Sequence, residues 1–259
     1  MTMTPVQAAL EFPPIENVVE WPAMFGDGWY AFNKIALIAL IATAAPALLF
    51  FMAGRRSKLV PRGVQSFVEA IVSFVENQVA KPGIGAGYEP YMPLLISFFC
   101  FIAVGNLFEV IPFFQMPLNA RMGAPLVLAL VAYFFFIIVG MKHNGARNYL
   151  RMVAFPSGVP KAMYILVTPI ELVSTFAVRP FSHAIRLFAN MLAGHILLVS
   201  FGVLCIAVWQ LKLLVVLEAL TFPGLIAFTA FEIGVSLIQA FVFAILASVY
   251  IGGALHPEH

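Results

Sequence analysis

PKAMYILVTPIELVSTFAVRPFSHAIRLFANMLAGHILLVSFGVLCIAVW, residues 160–209, is apolar almost throughout, yet it carries Glu171, Arg179, His183, Arg186 and His195. As a helix rising 1.5 Å per residue it would extend about 75 Å, far beyond the ~30 Å hydrocarbon core of a bilayer. Such a helix must tilt steeply or break, and Pro169 and Pro180 punctuate it. The next stretch, 213–254, is equally apolar and too long in the same way, and contains Pro223. The pair reads as a long, strongly inclined helical hairpin turning near Trp209–Lys212.

The rest of the chain belongs to the same class. Of its residues 62% are hydrophobic and 10% are charged, against roughly 25% charged in a soluble domain. Further spans are expected at 30–53, 91–112 and 124–141, giving an all-α integral membrane protein with five crossings. Between the first two, Val64, Phe67, Val68, Ile71, Phe74 and Val75 recur at helical spacing, with Gln65, Glu69, Ser73 and Glu76 on the other face. That pattern describes an interfacial amphipathic helix. The basic stretch KHNGARNYLRM, 142–152, reads as a second surface helix. Residues 1–29 are expected to be an extracytoplasmic segment and 30–259 a single polytopic membrane domain, with no internal repeat.

Lys and Arg set the orientation. Arg55, Arg56, Lys58, Arg62, Lys81, Lys142, Arg147, Arg151 and Lys161 fall on one side, and only Lys34, Arg121 and Lys212 on the other. The N-terminus is therefore expected outside and the C-terminus inside. The first 29 residues hold four acidic groups and no Lys or Arg, which fits neither a secretory signal nor an Arg-rich presequence. The expected location is a bacterial inner membrane, with an organelle-encoded inner membrane protein as the alternative.

Intramembrane charge costs ~2.5–3.5 kcal/mol on insertion scales, so its presence asks for a function or an internal partner. Arg179, His183, Arg186 and Asn190 step by four, three and four along one helical face, and Glu232, Ser236 and Gln239 make a stripe on the other helix. Two such stripes could form a wet interface that carries protons. Ala184, Ala189, Ala193 and Gly194 permit close helix approach.

Each group also has a structural reading. Arg186 and Glu232 could form an ion pair joining two helices, although such pairs are often near break-even for stability. Arg179 reads as snorkelling towards lipid phosphates. His183 divides between an interhelical hydrogen bond and a relay, and Glu109 could be a solvated helix end. Glu218 and Lys212 would cap the outer turn, and His256 and His259 belong to the tail. Cys100 and Cys205 match no metal spacing. No Gly-rich phosphate loop, HExxH or Cys cluster is present, and His183 and His195 share one helix, against the facing pairs a haem needs. No cofactor, metal or nucleic-acid partner is expected.

RLFANMLAGH (186–195), followed by FEIGVSLIQAFVFAILASVYIGGAL (231–255), resembles the a-subunit family of the rotary F-type ATP synthase. PRGVQSFVEAIVSFV, NLFEVIP and PIELVS extend the resemblance over most of 55–254. It implies a non-catalytic, proton-conducting stator working with a ring of c subunits and b-type peripheral-stalk subunits in the whole complex. Arg186 and Asn190 match the arginine and asparagine of the family's R-L-x-x-N motif, whose arginine faces the ring's carboxylates. His195 and Glu232 match the histidine and acidic group of one access path, and Gln239 matches a glutamine near it. Glu109 matches an acidic group at the outer access and Glu171 one near the inner exit. In QMPLNARMGAP, Asn119 and Arg121 stand where some members have Asp-containing text. The implied role of Arg186 is to favour the ionised form of each passing rotor carboxylate and to bar direct proton transfer between two aqueous half-channels.

Two other classes compete on the residues alone. A secondary transporter binding a small anion at Arg186 would normally show repeats in two matching halves, whereas the polar groups here crowd the last hundred residues. A purely structural anchor leaves the intramembrane charges without a reason.

Overall fold

The computed structural model describes residues 32–55, 58–111, 114–155, 160, 163–210 and 215–255, with side chains at 209–210 and 215–218 left aside. The expected segment 1–29, turn residues 211–212, Lys161 and the tail histidines at 256 and 259 lie outside this set, as does the side chain of Glu218.

Among the described residues the chain is helical and has no β-strand. α1 (Lys34–Arg55) is followed by α2 (Val64–Val75), a π-helical turn (Glu76–Ala80) and α3 (Lys81–Ile84). Then come α4 (Met92–Leu107), α5 (Gly123–Asn144), α6 (Ala146–Ala154) and α7 (Tyr164–Val173). A second π-helical turn (Ser174–Val178) joins α7 to α8 (Arg179–Gln210), and α9 (Val215–Leu255) ends the described chain. Five stretches are long and apolar enough to cross a membrane: Lys34–Arg55, Glu89–Leu107, Gly123–Asn144, Tyr164–Val208 and Ala219–Leu255. The protein is thus the all-α, multi-pass membrane architecture expected from its sequence. α4 stops earlier than the expected 112: it ends at Leu107, and Glu109 N–H and Val110 N–H bond back to the carbonyls of Asn106 and Leu107 as tight turns.

α8 and α9 form an antiparallel pair. Arg179 lies by Tyr250, His183 by Phe243, Asn190 by Gln239 and Phe201 by Phe228, so each step up one helix is a step back down the other. The 45-residue stretch Tyr164–Val208 is about 68 Å long at helical rise, so it lies oblique to any membrane normal.

The core is built on one face of α9, where Ala240, Phe243, Ala244, Ala247 and Ile251 recur at helical spacing. Val75, Val79, Ala80 and Ile84 from the α2–α3 region, Leu95, Phe98 and Ile102 from α4, and Leu187 and Met191 from α8 pack on it. The amphipathic helix therefore begins as expected at Val64, and from Val75 onward the chain enters the core. Small residues allow this: a Cβ on Gly83 would fall 2.8 Å from Ser248 Cβ, and one on Gly252 3.1 Å from the Gly83 carbonyl carbon. Ser248 Oγ donates to the Val79 carbonyl at 2.9 Å, and Asn144 Nδ2 donates to the Ala254 carbonyl at 2.8 Å, which satisfies one of the last carbonyls of α9.

Candidate functional site

α8 presents two faces. Leu187 and Met191 are fully buried, with Ala184, while Arg186, Ala189, Asn190 and Ala193 are exposed. The expected single polar face is split by this boundary. His183 turns inward and packs edge-on to Phe243, 4.0 Å between ring centres, with Nε2 unpartnered. Arg186 turns outward. Among the described residues, the ion pairs are Lys81–Glu76, Arg179–Glu171 and His195–Glu109, and Arg186 is in none of them. The alternative of an Arg186–Glu232 staple is not realised: no ion pair joins the two, Glu232 being buried against Gly194 while Arg186 is exposed.

One turn from Arg186, Asn190 Nδ2 donates to Gln239 Oε1 at 3.0 Å. This neutral bridge joins the two polar stripes. Glu232, Ser236 and Gln239 are all buried on α9, as their spacing implied.

Beyond the bridge lies a nest of buried polar groups. His195 Nδ1 stands 3.8 Å from Glu109 Oε1, within ion-pair range but beyond a hydrogen bond. The Glu232 carboxylate lies over Gly194, where an added Cβ would come within 2.6 Å of its carboxyl carbon. Asn119 Nδ2 donates to Asn106 Oδ1 at 2.6 Å, both side chains fully buried. Among the described residues six polar atoms here find no hydrogen-bond partner: both Glu109 oxygens, Glu232 Oε2, Ser236 Oγ, Asn106 Nδ2 and Asn119 Oδ1. Buried polar groups nearly always find partners, and hydrated paths are where they find them in water.

At the other end of the α8–α9 pair, Arg179 Nη2 donates to Glu171 Oε1 at 3.2 Å. Both are about one-third exposed. They line a cleft of about 440 Å³ with Thr175, Tyr149 and Tyr250, and the Arg179 guanidinium carbon lies 5.9 Å from the Tyr250 ring centre. Arg179 was expected to reach for lipid; the acid eight residues earlier holds it instead. The π-helical turn between them belongs to a class often found at functional sites.

Arg186 therefore stands between two polar regions, with His195 nine residues along α8, about 14 Å at helical rise, and Arg179 seven residues back, about 10 Å.

A profile of the family described as ATP synthase A chain matches residues 35–252. The chain belongs to the ATP synthase A chain family. It is 39% identical over 259 residues to ATP synthase subunit a of Pseudarthrobacter chlorophenolicus, covering 98% of this chain and 97% of that one. With the subunit of the same name from Frankia alni it shares 37% over 252 residues, 95% of this chain and 87% of the relative. The Rhodopseudomonas palustris protein, also ATP synthase subunit a, is 38% identical over 231 residues, covering 89% and 87%. These bacterial relatives and the five apolar helices make the chain a multi-pass bacterial membrane protein.

Asn106, bonded to Asn119, and Arg179, bonded to Glu171, join the polar groups beyond those the helical stripes point to. Asn106 sits three residues before Glu109 in NLFEVIP, a helical step that puts both on one side. That spacing was the available signal.

Proposed function

We propose that the chain is the proton-translocating stator subunit of an F-type ATP synthase, with Arg186 as the barrier between two aqueous half-channels. The outer half-channel runs through Glu109, Asn106, Asn119, His195, Glu232 and Ser236, up to Gln239 and Asn190. The inner one is the cleft at Glu171, Thr175 and Arg179. His183 lies behind Arg186 and positions the helix pair. The N-terminus faces outside and the C-terminus the cytoplasm, as the Lys and Arg distribution supports.

The supporting observation is the outward Arg186 on a strip of small residues, Ala189 and Ala193, with separate polar nests on either side of it. The smallness of that strip lets a partner helix approach closely. A ring of c subunits, each with one membrane carboxylate, is the partner that uses such a surface. A fixed guanidinium favours the ionised form of a carboxylate brought opposite it, so the rotor group releases its proton to one side. It takes up a proton from the other side before returning to lipid, where the ionised form is expensive. A guanidinium offers donors and no acceptor, so Arg186 takes up no proton from either side and passes none across. Rotation is then the way protons cross, and ATP chemistry belongs to other subunits, held to this one by a b-type peripheral stalk.

The test is Arg186→Ala in the whole complex, assayed in inside-out vesicles. Expected is normal insertion and assembly with ATP-driven acidification abolished. Normal acidification would overturn the assignment.

A further inference from the structure

The two polar nests make no use of a basic cleft at the junction of α1 and α2. Where α1 ends and α2 begins, a cleft of about 770 Å³ opens between them. Leu48, Phe51 and Met52, from the last two turns of α1, line its apolar part, and Arg55 at the end of α1 with Lys58 and Arg62 from the following loop line its basic part. All six side chains are exposed. Among the described residues none of the three cations is in an ion pair. The nearby acid is otherwise engaged, because Gln65 Nε2 donates to Glu69 Oε1 at 2.8 Å. The same Gln65 accepts from Lys58 N–H at 3.0 Å and donates to the Lys58 carbonyl at 2.9 Å, which fixes the loop against α2. Arg55 lies 5.9 Å from the Phe51 ring centre, over the rim of the apolar wall.

The geometry points to a binding site for an anionic phospholipid in this cleft, with Arg55, Lys58 and Arg62 holding the phosphate and the α1 wall receiving the acyl chains. The wall is the end of a membrane-crossing helix, so hydrocarbon lies beside Leu48 and the headgroup layer beside the cations. Basic pockets between membrane helices are suited to phosphate headgroups. Three cations that make no ion pair among the described residues match a headgroup with two phosphates better than one with a single phosphate. A soluble anion would satisfy the cations but make no use of Phe51 and Met52. The site lies on α1 and α2 and is independent of the reading of Arg186.

The experiment uses the detergent-purified whole complex, delipidated and titrated with a two-phosphate, four-oleoyl phospholipid, and read by native mass spectrometry. Zwitterionic dioleoyl phosphatidylcholine is the control. Expected is tighter binding of the anionic lipid, weakened about fivefold per cation removed and on the order of 100-fold in the triple variant Arg55→Gln, Lys58→Gln, Arg62→Gln. The charge-preserving pair Arg55→Lys and Arg62→Lys should keep most of the affinity. Arg62→Gln alone gives the same reading should the triple variant fail to assemble. Unchanged lipid affinity in the glutamine variants would overturn the proposal. Displacement of the lipid by inorganic phosphate at equal concentration would also overturn it, in favour of a soluble-anion site. Loss of stalk subunits from the triple variant with lipid binding intact would overturn it in favour of an acidic protein partner.

Discussion

The carboxylate of Glu232 on α9 lies directly over Gly194 on α8, in the space that any larger residue at 194 would need. Glycine is there because an acid from the facing helix occupies its missing side chain. Gly194→Ala should therefore push the carboxylate out of place, at about 1–3 kcal/mol for overpacking, and lower ATP-driven acidification at least several-fold. Glu232→Asp in the same chain, one methylene shorter, should restore part of the loss. Full activity in Gly194→Ala would show that the two groups are not packed together in the working complex.

Glu109 and His195 are expected to act as a unit, because His195 Nδ1 stands 3.8 Å from Glu109 Oε1 in the same buried nest. Glu109→Gln and His195→Gln should each slow proton-driven ATP synthesis, on the order of 100-fold for a lost proton-transfer group. The double variant should be little worse than the poorer single one. Rates that multiply in a double-mutant cycle would separate the two residues.

Ser248 ties α9 to the π-helical turn through the Val79 carbonyl. Ser248→Ala removes a buried hydrogen bond and should cost about 0.5–1.5 kcal/mol. The readout is a lower dissociation temperature of this subunit from the solubilised complex. No change would mean that packing alone holds the crossing.

Glu76, outside the membrane-crossing helices, accepts from the Tyr88 hydroxyl at 2.6 Å and pairs with Lys81 at 2.9 Å. These contacts, the tyrosine bond first, hold its carboxyl below the ordinary value of 4.5. A lowered folded-state value means stabilisation that is complete above about pH 4.5 and lost as pH falls through the depressed value. The difference in melting temperature between the parent and Glu76→Gln should thus be present at neutral pH and shrink in acid. A difference that grew on acidification would reverse the sign of this linkage.

Much of the molecule was legible in its residue order. Apolar length fixed the five crossings and the oblique hairpin, since neither 164–208 nor 219–255 fits upright in ~30 Å of hydrocarbon. Steps of three and four placed Glu232, Ser236 and Gln239 on one stripe, and the motif at 186–195 carried the family.

What the residue order left open was decided by packing between helices. Helical spacing says which residues share a side of one helix and nothing about which side meets its neighbour. His183 and Arg186, three apart, end on opposite sides of the buried boundary because Phe243 covers the first and none of the described elements buries the second. Glu109, far away in the chain, reaches His195 only because α4 ends at Leu107 and turns beside α8. Arg179 and Glu171 meet across a π-helical turn that no periodicity announces. Local order along the chain set the elements; the rotation of each helix against its partners, a many-body packing result, set the site.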